Sequence, residues 1–537
     1  MATDTLAAGE VRPPRIAPVA RRRRLTEGRV VFAVVLVVYL ALAWWMWRQQ
    51  FIPQDSISRI ANAYYVLFSR DPHLAAVGIV WNPLPSLILL PFLPLGALVP
   101  ALVRDGLVAA LVSAVFMAAT VAVTRDILRR LGLARAPRLI LTALFALHPM
   151  IFWYAGNGMS EALFLFALML ATHALLHWFD DAKPERLVAL GLSLGLAYGS
   201  RYEALAPGLA APVAVFAVSW WRNRDRKSGR LGIAQTDAVL AIFPMLVTVG
   251  LWAACGRIVG NQWFATFSSE YGNAAQVAAN RTAIESVTGS TLADRASYAA
   301  QQLAGLEPLA VVVALVAAFL ALRRRDVRAL APVAVLGSVL VFDNGAFLVG
   351  SSFGWLRFQI AVVPLVIVLV GVLLSRPAAA PAPRVRAAGL VAALLAVAVA
   401  VPSTGLTLRN PDLAREESAF LTTGGAAQTR FLARQHLRIG ADIDALGLPD
   451  GSVLTDAAYS YAIILASRHP RQFVITSDRD FATILADPKG HNVHYYLVSA
   501  KGASDAVRAA YPTLDATLTA KVWPDDQGRT LFTLIPV

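Results

Sequence analysis

LPSLILLPFLPLGALVPALV, residues 84–103, is as long and as apolar as a membrane span, yet it holds Pro85, Pro91, Pro94 and Pro100, with Pro83 just before it. Proline removes a backbone donor and clashes with the preceding turn, so this density breaks a helical ladder. Broken backbone is tolerated at membrane depth only where protein or water covers it. Whether the segment crosses also decides the side of every later loop. If it crosses, the basic loop from Arg125 to Arg138 and all later basic loops lie outside. If it dips in and returns, all of them lie inside, as loop arginines prefer. The segment is therefore expected to be re-entrant or to lie flat.

The surrounding chain is a membrane protein by composition. Of 537 residues, 57% are hydrophobic and 15% charged, with a mean hydropathy of +0.58. A soluble domain is about half apolar and a quarter charged. Apolar blocks of roughly 20 residues match the hydrocarbon thickness. The expected spans are 29–47, 106–124, 138–154, 161–179, 186–200, 204–221, 237–258, 305–322, 329–349, 357–375 and 387–402, about eleven crossings. Residues 1–28 read as a disordered cytoplasmic tail, since no small-residue cleavage site follows the first apolar run. The expected layout is that tail, a transmembrane domain over 29–403 with a first outer loop at 51–105, and an outer domain over 404–537.

The net charge of +14 comes from arginines in short loops: Arg21 to Arg24, Arg125 to Arg138, Arg222 to Arg230, Arg323 to Arg328 and Arg376 to Arg386. That distribution sets orientation and meets anionic membrane lipids, and with no aromatic-interleaved basic groove it excludes nucleic acid as a partner. One cysteine, Cys255, excludes an internal disulfide and a cysteine metal site. No H-E-x-x-H, P-loop or dinucleotide fingerprint is present, which argues against nucleotide use. His173 and His177 have the spacing to share a metal but sit toward the cytoplasmic end, and read as an interfacial feature. Past residue 430, strand-like runs alternate with helix-like ones, the pattern of a small α/β domain with a largely parallel sheet. Asp456, Asp478 and Asp480 fall near expected strand ends, where helix capping is the simpler role.

On this topology the charges at span ends converge on the outer side: Asp55, Arg59, Asp71, His73, Glu161, Arg201, Glu203, Glu270 and Arg357. Asp55 leaves the first span in F-I-P-Q-D-S, followed by Ile57, Ile60, Ala61 and Tyr64 at helical spacing and by the corner Trp81-Asn82-Pro83-Leu84-Pro85. A catalytic carboxylate and a helix cap are equally open for Asp55, and Arg59 one turn on suits a plain i,i+4 pair. Arg201 and Arg357 suit either phosphate binding or snorkelling to headgroups. Glu203 reads as a partner for Arg201 or a sugar ligand. Glu161 reads as a helix-dipole residue, and Asp71 and His73 as a turn or as acceptor or metal contacts. Glu270 and Tyr271, in F-S-S-E-Y-G of the long 260–304 loop, suit a sugar-binding surface or interfacial anchors.

The aspartate after the first span, W-N-P-L-P, N-G-M-S-E opening a span, G-S-R-Y-E-A closing one and L-R-F-Q-I opening a late one together resemble the GT-C superfamily. The likeness is to the branch with protein O-mannosyltransferases, the lipid A aminoarabinose transferase and actinobacterial envelope transferases, and covers most of 30–375. It implies a multi-pass transferase of a bacterial plasma membrane, with an extracytoplasmic active site. Such an enzyme moves one sugar from a polyprenyl-phosphate donor, such as decaprenyl-phosphate arabinose or mannose, to an envelope glycan, lipid or protein. The family's acidic residue in the first outer loop maps onto Asp55 as base. Q-D-S replaces the paired acids of many relatives, which leaves a divalent metal an open requirement. An inverting transfer needs a carboxylate to take the acceptor proton and a fixed cation for the leaving phosphate. Arg201 and Arg357 are the first choices for that cation and Arg59 the third. Trp81, Glu161, Glu203, Glu270, Tyr271 and His73 are expected to bind substrate. A flippase for lipid-linked sugar and a non-catalytic envelope assembly protein are the alternatives.

Overall fold

A computed structural model describes residues 26–226, 228–269, 271–375, 383–500, 504–514, 519 and 521–537. Most of the expected tail, Glu270 and part of the last basic loop lie outside the described residues. Among the described residues, eight helices are long and apolar enough to cross a bilayer, or ten if each of two bent pairs is one span. The pairs are Arg135–Leu147 with Pro149–Gly156, bent by 59°, and Leu292–Leu306 with Ala310–Arg324, bent by 82°. Each break falls at a proline, Pro149 and Pro308, whose ring cannot continue the preceding ladder. The expected eleven crossings also include Pro184–Ser200, a helix of only 17 residues. It packs closely on Arg230–Gly260, where a Cβ on Gly191 would come within 2.7 Å of the Ala241 carbonyl. Small residues let helix backbones approach in this way. The expected 260–304 loop is largely helical and ends in Leu292–Leu306, which opens on a capping box between Thr291 and Asp294.

The first helix, α1 (Glu27–Arg48), takes in the last two residues of the expected tail. The second, α2 (Gln54–Phe68), begins behind Pro53. Residues 84–103 form no single helix but three short pieces, Leu84–Leu87, Leu90–Ala97 and Ala101–Arg104. Both ends of the 49–106 segment lie on one side. At one end of Leu107–Arg130, a Cβ on Gly106 would come within 2.7 Å of Ile52 and Ile57. At its other end Arg125 donates to Glu27, at the start of α1, at 2.7 Å. Arg138 also binds Glu27, Arg130 pairs with Asp180, and Arg222 donates to the Trp178 carbonyl. The arginine-rich ends thus gather on the face away from Asp55.

The C-terminal portion holds a five-stranded sheet of order β2-β1-β3-β5-β4: β1 Val453–Thr455, β2 Phe473–Ile475, β3 Tyr495–Ser499, β4 Lys521–Pro524 and β5 Thr530–Pro536. Strands β2, β1 and β3 are parallel, while β5 runs antiparallel to β3 and β4 to β5. The expectation of a largely parallel sheet is corrected at this edge. Strand β4 is short, begins with a lysine and ends in a proline, the composition of an edge strand that carries little β signal. The helix Ala457–Ala466 after β1 packs on α2, and the 22-residue helix Thr423–Asp444 packs in turn on Ala457–Ala466.

Candidate active site

Pro53 caps α2 in an extended conformation, which puts Asp55 in the first helical turn without a capping bond. Its carboxylate is turned inward instead, and Asp55 Oδ2 accepts from Arg357 Nη1 at 2.9 Å. Arg357 sits in the short turn Leu356–Gln359, behind Phe353 and Trp355, whose rings stack at 4.2 Å. Its guanidinium lies 4.3 Å from the Trp355 ring centroid, 3.1 Å from Glu416 Oε2 and 3.9 Å from Glu161 Oε1. Arg201 is an extended residue wedged between two helical segments (φ −153°), which swings its side chain off the helix line. Its Nη1 donates to Glu161 Oε1 at 2.5 Å and its Nε to Glu203 Oε1 at 3.1 Å. Glu161 thus faces both arginines, in a role beyond stabilising its own helix dipole.

Exposure separates the roles of the acids. The Glu161 and Glu203 side chains are 1% and 3% exposed and are spent on Arg201, whereas Asp55 is 35% exposed. Glu416, beside Arg357, is nearly as exposed at 30%, but it is Asp55 that lines the open space in front of that arginine. That space is a cavity of about 110 Å³ walled by Asp55, Arg59, Trp81, Arg201, Trp355 and Arg357, with other residues. Arg59 forms no i,i+4 pair with Asp55. Its guanidinium lies 4.7 Å from the Trp81 ring centroid, with no carboxylate within 4 Å among the described residues, and its Nε is buried without a hydrogen-bond partner. Behind Arg59 a narrow crevice of about 20 Å³ runs between Leu89, Phe116, Met159 and Leu163. One side of this arginine therefore faces a polar cavity and the other an apolar slot.

The remaining sequence candidates are dispersed. Trp81 and Glu203 line the cavity. Tyr271 donates to Asp456 of the sheet domain at 2.8 Å, and His73 Nδ1 lies 2.7 Å from the Asp71 carbonyl; neither lines the cavity. Asp71 pairs with Arg479, which holds its carboxyl well below the usual range, and Arg70 binds Asp478 at 3.1 Å. Asp456 caps the helix after β1. These side chains clamp the first loop to the sheet domain. Among the described residues no group of three or more His, Cys, Asp or Glu side chains is arranged to hold a metal. The acids around the cavity are each held by a guanidinium and do not converge on one point, and no step here uses a metal.

Glu416 and Glu417, in the helix Arg415–Leu421, are the site residues sequence reasoning missed. Glu416 touches Arg357, and Glu417 Oε1 accepts from Tyr154 Oη at 2.7 Å. Their signal was R-E-E-S just past the last span, in a stretch whose acids and bases balance. Around Arg201 and Arg357 stand Asp55, Glu161, Glu203 and Glu416, four carboxylates to two guanidiniums. Burial, only partly offset by Arg357, accordingly pushes the Glu416 carboxyl up to about 8. The folded chain then keeps a proton that the unfolded chain releases above the usual carboxyl range. This group withdraws stability progressively as pH rises from about 4.5 to 8. Glu416→Gln is expected to flatten the fall in Tm across that window, measured by melting in detergent; an unchanged pH profile would exclude Glu416 as its source.

No protein-family model matches the sequence, and no curated protein sequence matches it significantly. Among solved structures, the archaeal oligosaccharyltransferase AglB from Archaeoglobus fulgidus, in complex with an inhibitory peptide and a dolichol-phosphate, is similar over 87% of this chain and 69% of that one, with a TM-score of 0.43 and 11% identity. So loose an overlap assigns neither fold nor activity, and the chain's own residues must carry the functional reading. They describe a helical membrane protein with a charged cavity beside Asp55, walled by residues between Asp55 and Phe358.

Proposed function

We propose that the chain is an integral-membrane glycosyltransferase that moves one sugar from a polyprenyl phosphate to a hydroxyl acceptor on the side of the C-terminal domain. The observation that carries this reading is the pairing of Asp55, a half-open carboxylate backed by Arg357, with Arg59, a cation with no carboxylate within 4 Å among the described residues. Asp55 takes the acceptor's hydroxyl proton as that oxygen bonds to the anomeric carbon. The bond from that carbon to the phosphate oxygen breaks with inversion. Its electron pair stays on the phosphate, which leaves as the polyprenyl monophosphate and whose charge falls on Arg59.

This reverses the order expected from sequence. Arg201 and Arg357 are already committed to Glu161, Glu203, Asp55 and Glu416, so a phosphate there must displace a carboxylate. The gathering of arginine-rich ends on the opposite face supports an extracytoplasmic site in a bacterial plasma membrane. Decaprenyl-phosphate arabinose and mannose are the first donors to try, on the resemblance to GT-C enzymes. Arg59→Gln is expected to weaken polyprenyl monophosphate binding to the full chain in nanodiscs by roughly tenfold or more, as loss of a charge-assisted phosphate contact requires. Asp55→Asn should leave that binding within about twofold. Equal binding by wild type and Arg59→Gln would remove Arg59 from the phosphate site.

A further inference from the structure

A second, larger cavity of about 580 Å³ lies on the other side of the first turn of α2 from the Asp55 cavity. Its arginines come from three separate elements: the end of α1 with Arg48 beside Trp47, the Ala101–Arg104 turn with Arg104, and the Thr423–Asp444 helix with Arg430 and Arg434. Four guanidinium groups therefore face one carboxylate, Asp105, which Arg104 already holds at 2.8 Å. Among the described residues, Arg48, Arg430 and Arg434 have no carboxylate within 4 Å. Arg48 rests 6.0 Å from the Trp47 ring centroid and Arg430 5.9 Å from that of Phe51. His436, also in the wall, is held by burial down to about 4 and so adds no charge at neutral pH.

Single arginines at a membrane edge are satisfied by reaching water or headgroups. Three with no carboxylate within 4 Å, from two elements and lining one cavity, make a positive site that favours an anion, although Arg48 and Arg434 also reach water. Guanidinium forks match a phosphate's oxygens in number and direction. The cavity's place says which phosphate. It opens where α1 leaves the apolar region, beside Trp44 and Trp45, which are 52% and 47% exposed, and above the exposed Val34 and Val37 of the same helix. Exposed tryptophans at the end of an apolar helix mark the headgroup level, and the valine face below offers a path for acyl chains.

We infer that this cavity binds the phosphate headgroup of an anionic glycerophospholipid whose chains lie along α1. The site is separate from the Asp55 cavity and does not depend on the transfer reaction. A lipid held there joins the membrane helix α1 to the Thr423–Asp444 helix, the element directly after Glu416 and Glu417.

Native mass spectrometry of the full chain in detergent, titrated with phosphatidylglycerol, phosphatidylcholine or inorganic phosphate, tests this. Phosphatidylglycerol is expected to be retained roughly tenfold or more over phosphatidylcholine, and that preference to disappear in Arg430→Gln/Arg434→Gln. Arg438→Gln, on the same helix but outside the cavity wall, should retain the lipid, as should Asp55→Asn, and equal melting temperatures would show that the double variant folds. Equal retention of the two lipids, or undiminished phosphatidylglycerol on the folded double variant, would overturn the site. Inorganic phosphate binding as tightly as phosphatidylglycerol would make the ligand free phosphate and overturn the lipid assignment.

Discussion

Asp55→Asn is expected to lower sugar transfer by roughly 10²–10⁴-fold, the range lost when a positioned general base is removed. The amide keeps the shape of the side chain and an oxygen toward Arg357 but cannot take the acceptor's proton. With its side chain 35% exposed, Asp55 is not buried machinery for folding, so the variant should purify and melt close to wild type. Donor binding should persist, because the phosphate cation is a different residue. Asp55→Glu should recover little, since the longer arm moves the carboxylate off its contact with Arg357 Nη1. A variant that transfers normally would strip Asp55 of its role and leave the flippase and assembly readings standing.

The largest stability effect is expected at Arg357. It is 5% exposed and faces Asp55, Glu161 and Glu416 together. Arg357→Gln removes a buried cation from Asp55 and Glu416, 35% and 30% exposed, and from Glu161, which keeps Arg201, so the cost should reach at most the lower end of the about 3–5 kcal/mol of a broken buried pair. Melting in detergent should drop by several degrees, with activity lost in parallel. Arg357→Lys should recover stability only in part, because one ammonium cannot reach acids set on three sides of a planar fork. Arg479→Gln is the contrast: it breaks the pair with Asp71, but with Arg479 72% exposed the loss should stay within about 1 kcal/mol. Comparable melting shifts at Arg357 and Arg479 would mean that the central network is not what holds this region together.

The sequence showed the apolar blocks, the broken character of residues 84–103, and a gathering of charged residues at one set of span ends. Those signals are local: a run of twenty apolar residues or a cluster of prolines carries its meaning without its neighbours. What the sequence could not show is which charge faces which. Asp55 and Arg357 are 302 positions apart and meet at 2.9 Å, and nothing in their own segments encodes that distance. For the same reason Arg59 ranked third, since its lack of a carboxylate partner is visible only once the partners of Arg201 and Arg357 are known. Glu416 was hidden by composition, one acid among balanced charges in a stretch that reads as solvated. Strand β4 was missed because four residues ending in proline carry almost no periodic signal. Asp478 and Asp480 illustrate the opposite error of local reading. Their place near strand ends suggests a ligand site or helix caps, but both are bound by Arg70 of the first loop.

The most direct measurement is a cryo-EM map of the full chain in nanodiscs with a polyprenyl monophosphate. The phosphate is expected within hydrogen-bond distance of Arg59, with the Asp55 carboxylate facing unfilled cavity. Phosphate density against Arg430 and Arg434 instead, with the Arg59 cavity empty, would contradict the assignment of that cavity as the site of transfer.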